Sequence, residues 1–319
     1  MTRIAYYTFP SGAVQGGIKM HIRHVETLRD LGFDAVLRTG ANNNPPTWMT
    51  YKIPIRVGET LSQSDIAVVP EDAPILIERL APTAHRVVVF CQNVFIQARD
   101  SLDAIAKLRQ PVAFLAVAQG QARTLRRIHP GAHIDVVRAF ADDRAFRPSG
   151  PRGPDIAFMP KKRPMEAGVI RGLLRSLHPM ETPRPWRKLD GLSEAEVAAS
   201  MAASELYLSL ARFESLGMTA LEAMASGCVC AGFLGVGGRD YGTAGNGFWA
   251  PDDDCEAAAD ALGQAADLVR TGGAPLKAVI EAGRETAAEW SYARFRRDLE
   301  ETWMRLAPEA RVRSGPLDT

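Results

Sequence analysis

The chain has 319 residues, which corresponds to about two domains at the usual size of roughly 150 residues each. Hydrophobic residues make up 46% of the chain and charged residues 24%, a balance typical of folded globular proteins that excludes long disorder. The 38 Lys and Arg residues against 37 Asp and Glu residues give a net charge of +1, so the chain has no overall field to hold a nucleic acid backbone.

The first half of the chain alternates short apolar runs with helical patterns. Continuous apolar strands that alternate with helices are typical of a parallel sheet covered on both faces. The predicted strands are residues 4–8, 35–37, 66–69, 87–90, 112–117 and 134–137, and the clearest helix is 18–31. This pattern predicts a Rossmann-like α/β domain.

A segment rich in Pro, Gly and charge, residues 140–154, separates this half from a second set of elements. The second half is predicted to contain strands 156–159, 206–210 and 228–233 and helices 164–177, 193–203 and 217–226. We therefore predict a second Rossmann-like domain and place the boundary between residues 148 and 149. The last helix, 292–306, carries an apolar stripe that includes Trp303, so it is expected to pack on another element.

Residues 206–233 have the clearest order of elements: strand, polar loop, helix, strand. Gly217 opens the helix and Gly227 follows it, where a left-handed residue is favoured. Glu214 lies in the loop and Glu222 on the helix. Ligands of open α/β sheets gather at the carboxyl ends of the strands, where the amides of a helix N-terminus bind anions. Without further information, two such glutamates are most simply solvated surface acids.

The segment FESLGMTALEAMASG resembles the E-x7-E signature of retaining family 4 glycosyltransferases, with Glu214 and Glu222 at the two glutamate positions. GGIKMHIRHVETLRDLGFDAVL also resembles the family's first loop and helix, and VVRAFADDRAFRPSG and GVGGRDY resemble later segments. The resemblance implies the GT-B fold, in which two Rossmann-like domains face a central cleft. Residues 1–148 would bind the acceptor, 149–290 would bind the nucleotide sugar, and a C-terminal helix within 291–319 would cross back to the first domain.

The resemblance also implies roles for residues of the second domain. Glu214 would contact the donor sugar, Glu222 would hold the ribose hydroxyls, and the amides near Ser215, Leu216 and Gly217 would meet the diphosphate. The basic cluster Lys161, Lys162 and Arg163 would neutralise the leaving diphosphate, with Lys162 and Arg163 as its catalytic members. The alternative for this cluster is a solvated charge run.

In the first domain, the resemblance makes Gly16 and Gly17 walls of the active cleft near the donor phosphate and the acceptor. Their GxxxGG pattern differs from the dinucleotide-binding GxGxxG, and a plain strand-to-helix turn is the alternative. Gln92 and Asn93 stand where many relatives carry a histidine, and they can hydrogen-bond sugar hydroxyls without taking a proton. His21 is a further candidate acceptor contact, with a helix-surface or capping role as the alternative.

The sequence thus predicts a retaining hexosyltransferase that moves a sugar from a nucleotide diphosphate donor to an acceptor, with no cofactor. No metal is expected, because the resemblance implies a metal-independent reaction and the run Asp252, Asp253 and Asp254 suits a helix N-terminus. A cell-envelope polysaccharide, a glycolipid, another glycan and a small molecule all remain open as acceptors. The alternatives are a nucleotide-sugar epimerase of GT-B fold and a non-catalytic nucleotide-sugar-binding partner subunit.

The expected location is the cytoplasm. The four cysteines form no CxxC pair, and no apolar run is long enough to cross a bilayer. Peripheral contact with the inner face of the membrane stays open, because Arg123, Arg126 and Arg127 could form a basic patch. A solvated helix face is the alternative for these arginines. No nucleic acid partner is expected.

Overall fold

The structure, a computed structural model, describes residues 2–9, 16–40, 46–58, 60–108 and 113–312. Its chain divides into two compact units. Unit 1 comprises residues 1–138 and 295–319, and unit 2 comprises residues 139–294. The division therefore falls between residues 138 and 139, ahead of the segment in which the sequence placed it. Residues after 138 belong to unit 2 because they bond within it: the Ala141 amide donates to the Trp290 carbonyl, at 3.0 Å.

Unit 1 contains a parallel sheet whose strand order is β3-β2-β1-β4-β5-β6-β7. These strands are β1 (Ile4–Tyr7), β2 (Ala35–Thr39), β3 (Ile55–Val57), β4 (Ile66–Pro70), β5 (Arg86–Cys91), β6 (Ala113–Ala116) and β7 (His133–Val136). The order reverses between β1 and β4, since the chain builds the sheet outward from β1 in one direction and from β4 in the other. Such a switch point opens a crevice at the carboxyl ends of the strands.

The helices of unit 1 connect these strands. They are α1 (Gly16–Asp30), α2 (Pro74–Leu80), α3 (Val94–Asp100), α4 (Leu102–Ala106) and α5 (Gln119–Ile128). Their apolar faces pack on the sheet: Ile77 of α2 and Leu125 of α5 are fully buried beside the strand residues Val89 and Phe114. Strand β4 is buried along its whole length, as expected for a central strand covered on both faces.

Unit 2 contains a second parallel sheet, with strand order β12-β11-β10-β8-β9. Its strands are β8 (Gly153–Phe158), β9 (Trp186–Lys188), β10 (Ser204–Leu210), β11 (Val229–Phe233) and β12 (Phe248–Ala250). Its helices are α6 (Pro164–Leu177), α7 (Glu194–Ala202), α8 (Met218–Ser226), α9 (Cys255–Thr271) and α10 (Gly273–Ala288). The predicted pair of Rossmann-like α/β units is confirmed.

Local sequence signals set the helix ends in unit 2. Pro164 opens α6 at the position where its fixed backbone angle suits a helix start. Ser193 caps α7 together with Glu196 in a reciprocal capping box, and the Asp254 side chain caps α9. Helix α8 lies between Gly217 and Gly227, which both have left-handed backbone angles.

The final helix, α11 (Tyr292–Leu306), begins in unit 2 and belongs to unit 1 from Phe295 onward. Phe295, Leu299 and Trp303 are fully buried. The indole of Trp303 donates to the Tyr6 hydroxyl at 3.3 Å, and Arg138 forms a two-pronged ion pair with Asp298 on the helix. The prediction that the C-terminal helix returns to the first unit is confirmed.

Candidate active site

The E-x7-E segment of unit 2 forms a loop and a helix at the carboxyl end of β10. Residues 211–217 form the loop, and α8 follows, so Glu214 lies on the loop and Glu222 within the helix. Gly217 turns the chain from loop to helix with φ +79°, a value that disfavours residues with a Cβ atom. The first-turn amides of α8 lack intrahelical partners and carry the positive end of the helix dipole.

Glu214 and Lys162 approach each other across two strand ends. The Lys162 ammonium lies 3.8 Å from a Glu214 carboxylate oxygen, and both side chains are partly exposed, at 45% and 27%. Burial raises the pKa of Glu214, and the charges of Lys162 and Lys161 oppose this rise. The Glu214 carboxylate and the ammonium groups of the two lysines therefore lie close together in a partly exposed region at the edge of the sheet.

Glu222 is buried, with 6% of its surface exposed. It acts together with Glu214 on the phenol of Tyr207, a buried residue of β10 that the sequence analysis did not select. Burial raises the pKa of Tyr207 and a hydrogen bond with Thr219 lowers it, while Cys230, Glu222 and Glu214 raise it by smaller amounts. Tyr207 therefore lies close enough to both glutamates to respond to their charges.

A second loop, residues 234–241, packs directly against the first. A Cβ atom on Gly237 would overlap backbone atoms of Ser215 and Leu216, so the two backbones touch at this glycine. Tyr241 closes the contact, because its hydroxyl donates to the Gly217 carbonyl at 2.8 Å. Ser215 and Leu216 are themselves buried, and the diphosphate contact of their amides stays a prediction.

The basic cluster that follows β8 is split by the structure. Lys161 and Lys162 are exposed, but Arg163 is 1% exposed and is bonded inside unit 2. Its Nε donates to the Ala211 carbonyl at 3.0 Å, and its guanidinium pairs with Asp253 and stacks 4.4 Å from the centre of the Phe233 ring. Arg163 therefore holds the start of the Glu214 loop, which leaves the two lysines as the accessible cations of the cluster.

The acidic run beside Arg163 is also used within unit 2. Asp252 lies 3.7 Å from the Arg163 guanidinium and 3.2 Å from Arg239, and Asp254 caps α9. Across the ranges that the structure describes, no three His, Cys, Asp or Glu side chains are grouped as a metal site requires. No helix within those ranges combines the length and apolar character needed to cross a membrane.

In unit 1, Gly16 and Gly17 are the first residues of α1, and the part of the predicted glycine loop at residues 11–15 lies outside the described residues. The Gln92 side chain, from the end of β5, donates to the Gly17 carbonyl at 3.1 Å. A Cβ atom on Gly17 would lie 3.4 Å from the Gln92 amide nitrogen, an ordinary van der Waals distance. Asn93 caps α3, because its side-chain oxygen accepts from the amides of Phe95 and Ile96.

His21 is buried on the first turns of α1. Its Nδ1 donates to the Gly17 carbonyl at 2.9 Å and lies 3.1 Å from the Gln92 amide nitrogen. Burial lowers the pKa of His21 to about 4, so the ring is neutral at pH 7. Its other ring nitrogen, Nε2, is buried and has no hydrogen-bond partner within the described ranges.

Glu71 is a buried carboxyl group at the end of β4 that the sequence analysis missed. It accepts a hydrogen bond from the Asn93 amide at 2.6 Å, and burial raises its pKa to about 8. An isolated acid in the sequence carries no signal of such burial. Its position directly after an apolar strand was the available hint, since polar residues at strand ends often face a ligand site.

Comparisons with known proteins bear on the fold. No protein-family model matches the chain. An alpha-1,6-glucosyltransferase from Actinobacillus pleuropneumoniae serotype 7 is 28% identical over 239 residues, which covers 72% of this chain and 72% of the relative.

Solved structures match nearly the whole chain. Sucrose-phosphate synthase from Thermosynechococcus elongatus has a TM-score of 0.73 at 13% identity, covering 97% of this chain and 100% of that one. Anabaena HepE in complex with UDP-glucose has a TM-score of 0.69 at 14% identity, covering 95% and 99%. A glycosyltransferase from Rickettsia africae has a TM-score of 0.67 at 15% identity, covering 96% and 98%. The chain therefore has the GT-B fold of these glycosyltransferase structures.

Proposed function

We propose that this chain is a retaining, metal-independent glycosyltransferase of family 4 that transfers a hexose from a nucleoside diphosphate sugar to a hydroxyl of an acceptor. The observation that carries the proposal is the pairing of Glu214 with Lys162, on the loop that leads through Gly217 to Glu222. The alpha-1,6-glucosyltransferase relative and the GT-B structures support the same activity.

Unit 2 offers a group of suitable charge or hydrogen-bonding capacity for each part of a sugar nucleotide. The diphosphate suits the α8 N-terminus, where backbone amides and the helix dipole favour an anion. Lys161 and Lys162 add positive charge at the edge of the same sheet. Glu222 accepts hydrogen bonds from the ribose hydroxyls, and Glu214 accepts from hydroxyls of the sugar that is transferred. Hydrogen bonds to charged groups contribute about 1.5–3 kcal/mol each, enough to matter for affinity.

The pairing of Glu214 with Lys162 also suits the chemical step. In the proposed reaction, the bond from the anomeric carbon to the diphosphate oxygen breaks while a bond to the acceptor oxygen forms on the same face. The acceptor proton passes to the departing phosphate oxygen. Lys162 stabilises the charge that develops there, and Glu214 orients the sugar, so catalysis rests on positioning and electrostatics.

The acceptor contacts are assigned to unit 1. Gln92 presents its side chain beside Gly17, and His21 is a neutral ring next to both. Gly16 and Gly17 place the α1 N-terminus after β1, where small residues allow a ligand to approach the backbone. Asn93 contributes through the turn it caps rather than through its side-chain oxygen, which is bonded to α3.

The test separates the roles of the two glutamates. Because Glu222 is assigned to the ribose, Glu222→Ala is expected to weaken UDP-glucose binding about tenfold or more. Glu214→Ala is expected to lower kcat by a similar factor with a smaller effect on donor affinity. Calorimetric titration with UDP-glucose and UDP release in the presence of candidate acceptors measure the two quantities.

Glu281→Ala, on the exposed surface of α10, is the matched control and should change neither quantity. NMR of the product shows whether the anomeric configuration of the donor is retained. Conversion of the nucleotide sugar without an acceptor would indicate an epimerase instead. If both glutamate variants bind and turn over donor like the unmodified chain, the site assignment is wrong.

A further inference from the structure

Two neighbouring strand ends of unit 1 and the start of α1 are joined by one group of polar contacts. The strands β1, β4 and β5 are adjacent in the sheet, and their carboxyl ends meet at the switch point. Glu71 follows β4, Gln92 follows β5, and α1 begins with Gly16 soon after β1. The contacts among these residues therefore fix the position of the turn after β5 relative to the start of α1.

The first contact in the group joins β4 to β5. A carboxyl oxygen of Glu71 accepts a hydrogen bond from the Asn93 amide at 2.6 Å, which joins the residue after β4 to the turn after β5. The amides of Gln92 and of Glu71 itself also bond to this carboxyl group, and all three amides favour its ionised form. Glu71 thus fixes the backbone of the turn from which the Gln92 side chain projects.

The second contact joins β5 to the start of α1. The Gln92 amide donates to the Gly17 carbonyl at 3.1 Å, and His21 Nδ1 lies at 3.1 Å from the same amide nitrogen. A displacement of the Gln92 backbone would therefore move the side chain that holds the first turn of α1. Glu71 itself is only 5% exposed, so it contacts the turn from the interior of unit 1.

We propose that Glu71 is a positioning residue for acceptor binding. It holds the backbone of the Gln92–Asn93 turn, and through the Gln92 side chain it sets the distance between this turn and the first turn of α1. The inference rests on the proposed function, since it assigns the acceptor to this edge of unit 1. It adds a residue that touches no substrate and acts through another side chain.

The charge state of Glu71 provides a readout of this role. Burial raises its pKa to about 8, with a smaller contribution from the exposed carboxylate of Asp72, while the three amides oppose the rise. Asp72 itself faces Arg99 and Asp100. Among the described residues, the Cys91 thiol at the end of β5 has a pKa raised well above its ordinary value, and His21 beside Gln92 has a pKa lowered to about 4, so both stay neutral in this range. Because the amides favour the ionised carboxylate, the turn is held most tightly above pH 8.

An NMR titration of the full chain tests the coupling without any substrate. The backbone amide of Asn93 and the side-chain amide of Gln92 are expected to shift with a midpoint near pH 8. Glu71→Gln keeps an accepting oxygen but cannot titrate, so both shifts should disappear. Asp72→Asn should keep the shifts and move their midpoint to lower pH. Signals that do not move between pH 6.5 and 9.5, or that move equally in Glu71→Gln, would overturn the proposal.

Kinetics then test the consequence for transfer from UDP-glucose. Glu71→Ala is expected to lower kcat about tenfold or more, with the KM for UDP-glucose changed less than twofold. Glu71→Gln should stay within about threefold of the unmodified chain and lose the rise in rate through pH 8. Equal losses in Glu71→Gln and Glu71→Ala, or a matching loss of UDP affinity, would contradict a positioning role. If the unmodified chain transfers no sugar, the proposed function fails, whereas the NMR titration still decides the role of Glu71.

Discussion

Arg163 is the residue whose environment differs most from a solvated charge run. Its guanidinium bonds to a loop carbonyl, pairs with Asp253 and stacks on Phe233, all inside unit 2. A planar guanidinium makes these contacts at the same time, which the single ammonium of a lysine does not. Arg163 therefore supports the loop that carries Glu214 from inside the unit.

A reciprocal pair of variants tests this role. Arg163→Lys keeps the charge but loses the bond to the Ala211 carbonyl and the stacking, so unit 2 is expected to lose about 2 kcal/mol of stability. Lys161→Arg, on the exposed neighbour, should leave stability unchanged. The midpoint of urea unfolding measures both, and equal midpoints for the two variants would show that Arg163 is not a structural residue.

The sequence selects candidate site residues by motif and chain position, but it does not select those defined by burial. Glu214 and Glu222 were chosen by their motif spacing and Lys162 by its position after β8, and their roles stay predictions. Glu71, Tyr207 and Tyr241 were not selected, since their roles depend on which strands become neighbours. The cap formed by Asn93 was predictable in principle, because Asn before an apolar helical segment favours an N-cap.

Among the elements, the contact between the two loops of unit 2 depends on a glycine. Gly237 allows the 234–241 loop to touch the backbone of Ser215 and Leu216. Gly235 of the same loop lies close to Arg212, and a Cβ atom on it would come 2.6 Å from the Arg212 carbonyl oxygen. The turn that leads into α8 is thus supported by a neighbouring backbone.

Substitution at this glycine is expected to disturb donor binding. Gly237→Ala forces the loops apart, at a cost of about 1–3 kcal/mol in stability, and should lower UDP affinity several-fold because the α8 N-terminus moves. Gly245→Ala is the control, since its Cβ would meet only the Thr243 hydroxyl, at 3.7 Å. Thermal unfolding and UDP titration check both, and normal UDP binding by Gly237→Ala would refute the dependence.

Helices α6 and α11 have the bounds that the sequence predicted, 164–177 and 292–306. Pro164 marks the start of α6, and the buried stripe on α11 repeats at helical spacing. The three-residue strands β3, β9 and β12 were not predicted, because partly exposed segments of that length show no apolar run. Likewise, α2, α3 and α4 have five to seven residues, too few for a helical period to be visible.

For the whole molecule, the two-domain α/β architecture followed from the alternation of elements. The predicted boundary differs from the division in the structure, because composition shows only where a Pro- and Gly-rich segment lies. The two units are defined by contacts, such as that between Ala141 and Trp290. The return of the last helix was implied by the family resemblance, and its burial depends on partners such as Tyr6, about three hundred residues earlier in the sequence.

The buried histidines of α1 predict sensitivity to acid. The pKa of His21 falls from 6.5 to about 4 on burial, and that of His24 is also lowered well below its ordinary value. The unfolded chain thus binds protons first, so stability is fully present above pH 6.5 and is lost as the pH falls toward 4. For His21 alone, the loss is about 3 kcal/mol.

Comparison of His21→Gln with the unmodified chain isolates this contribution. As the pH falls from 6.5 to about 4, the unmodified chain should lose more stability than the variant, so its unfolding midpoint should fall relative to that of His21→Gln. His133→Gln is the comparison variant, because the His133 side chain is 57% exposed and pairs with Asp135, so this variant removes a partly exposed contact rather than a buried ring. Glu71 changes stability in the opposite direction: its pKa is raised on folding, so the folded state loses stability as the pH rises toward 8. This contribution is the same in both proteins and cancels in their difference. A constant difference across this pH range would argue against neutral burial of His21.

The discontinuity of unit 1 has a consequence during synthesis. A ribosome delivers residues 1–138 first, then all of unit 2, and only afterwards the segment with Phe295, Leu299 and Trp303. Unit 2 is contiguous and can complete its interior while the nascent amino-terminal half still lacks these three side chains. Premature termination anywhere between residues 295 and 303 would therefore damage the domain that was translated first and spare the one translated last.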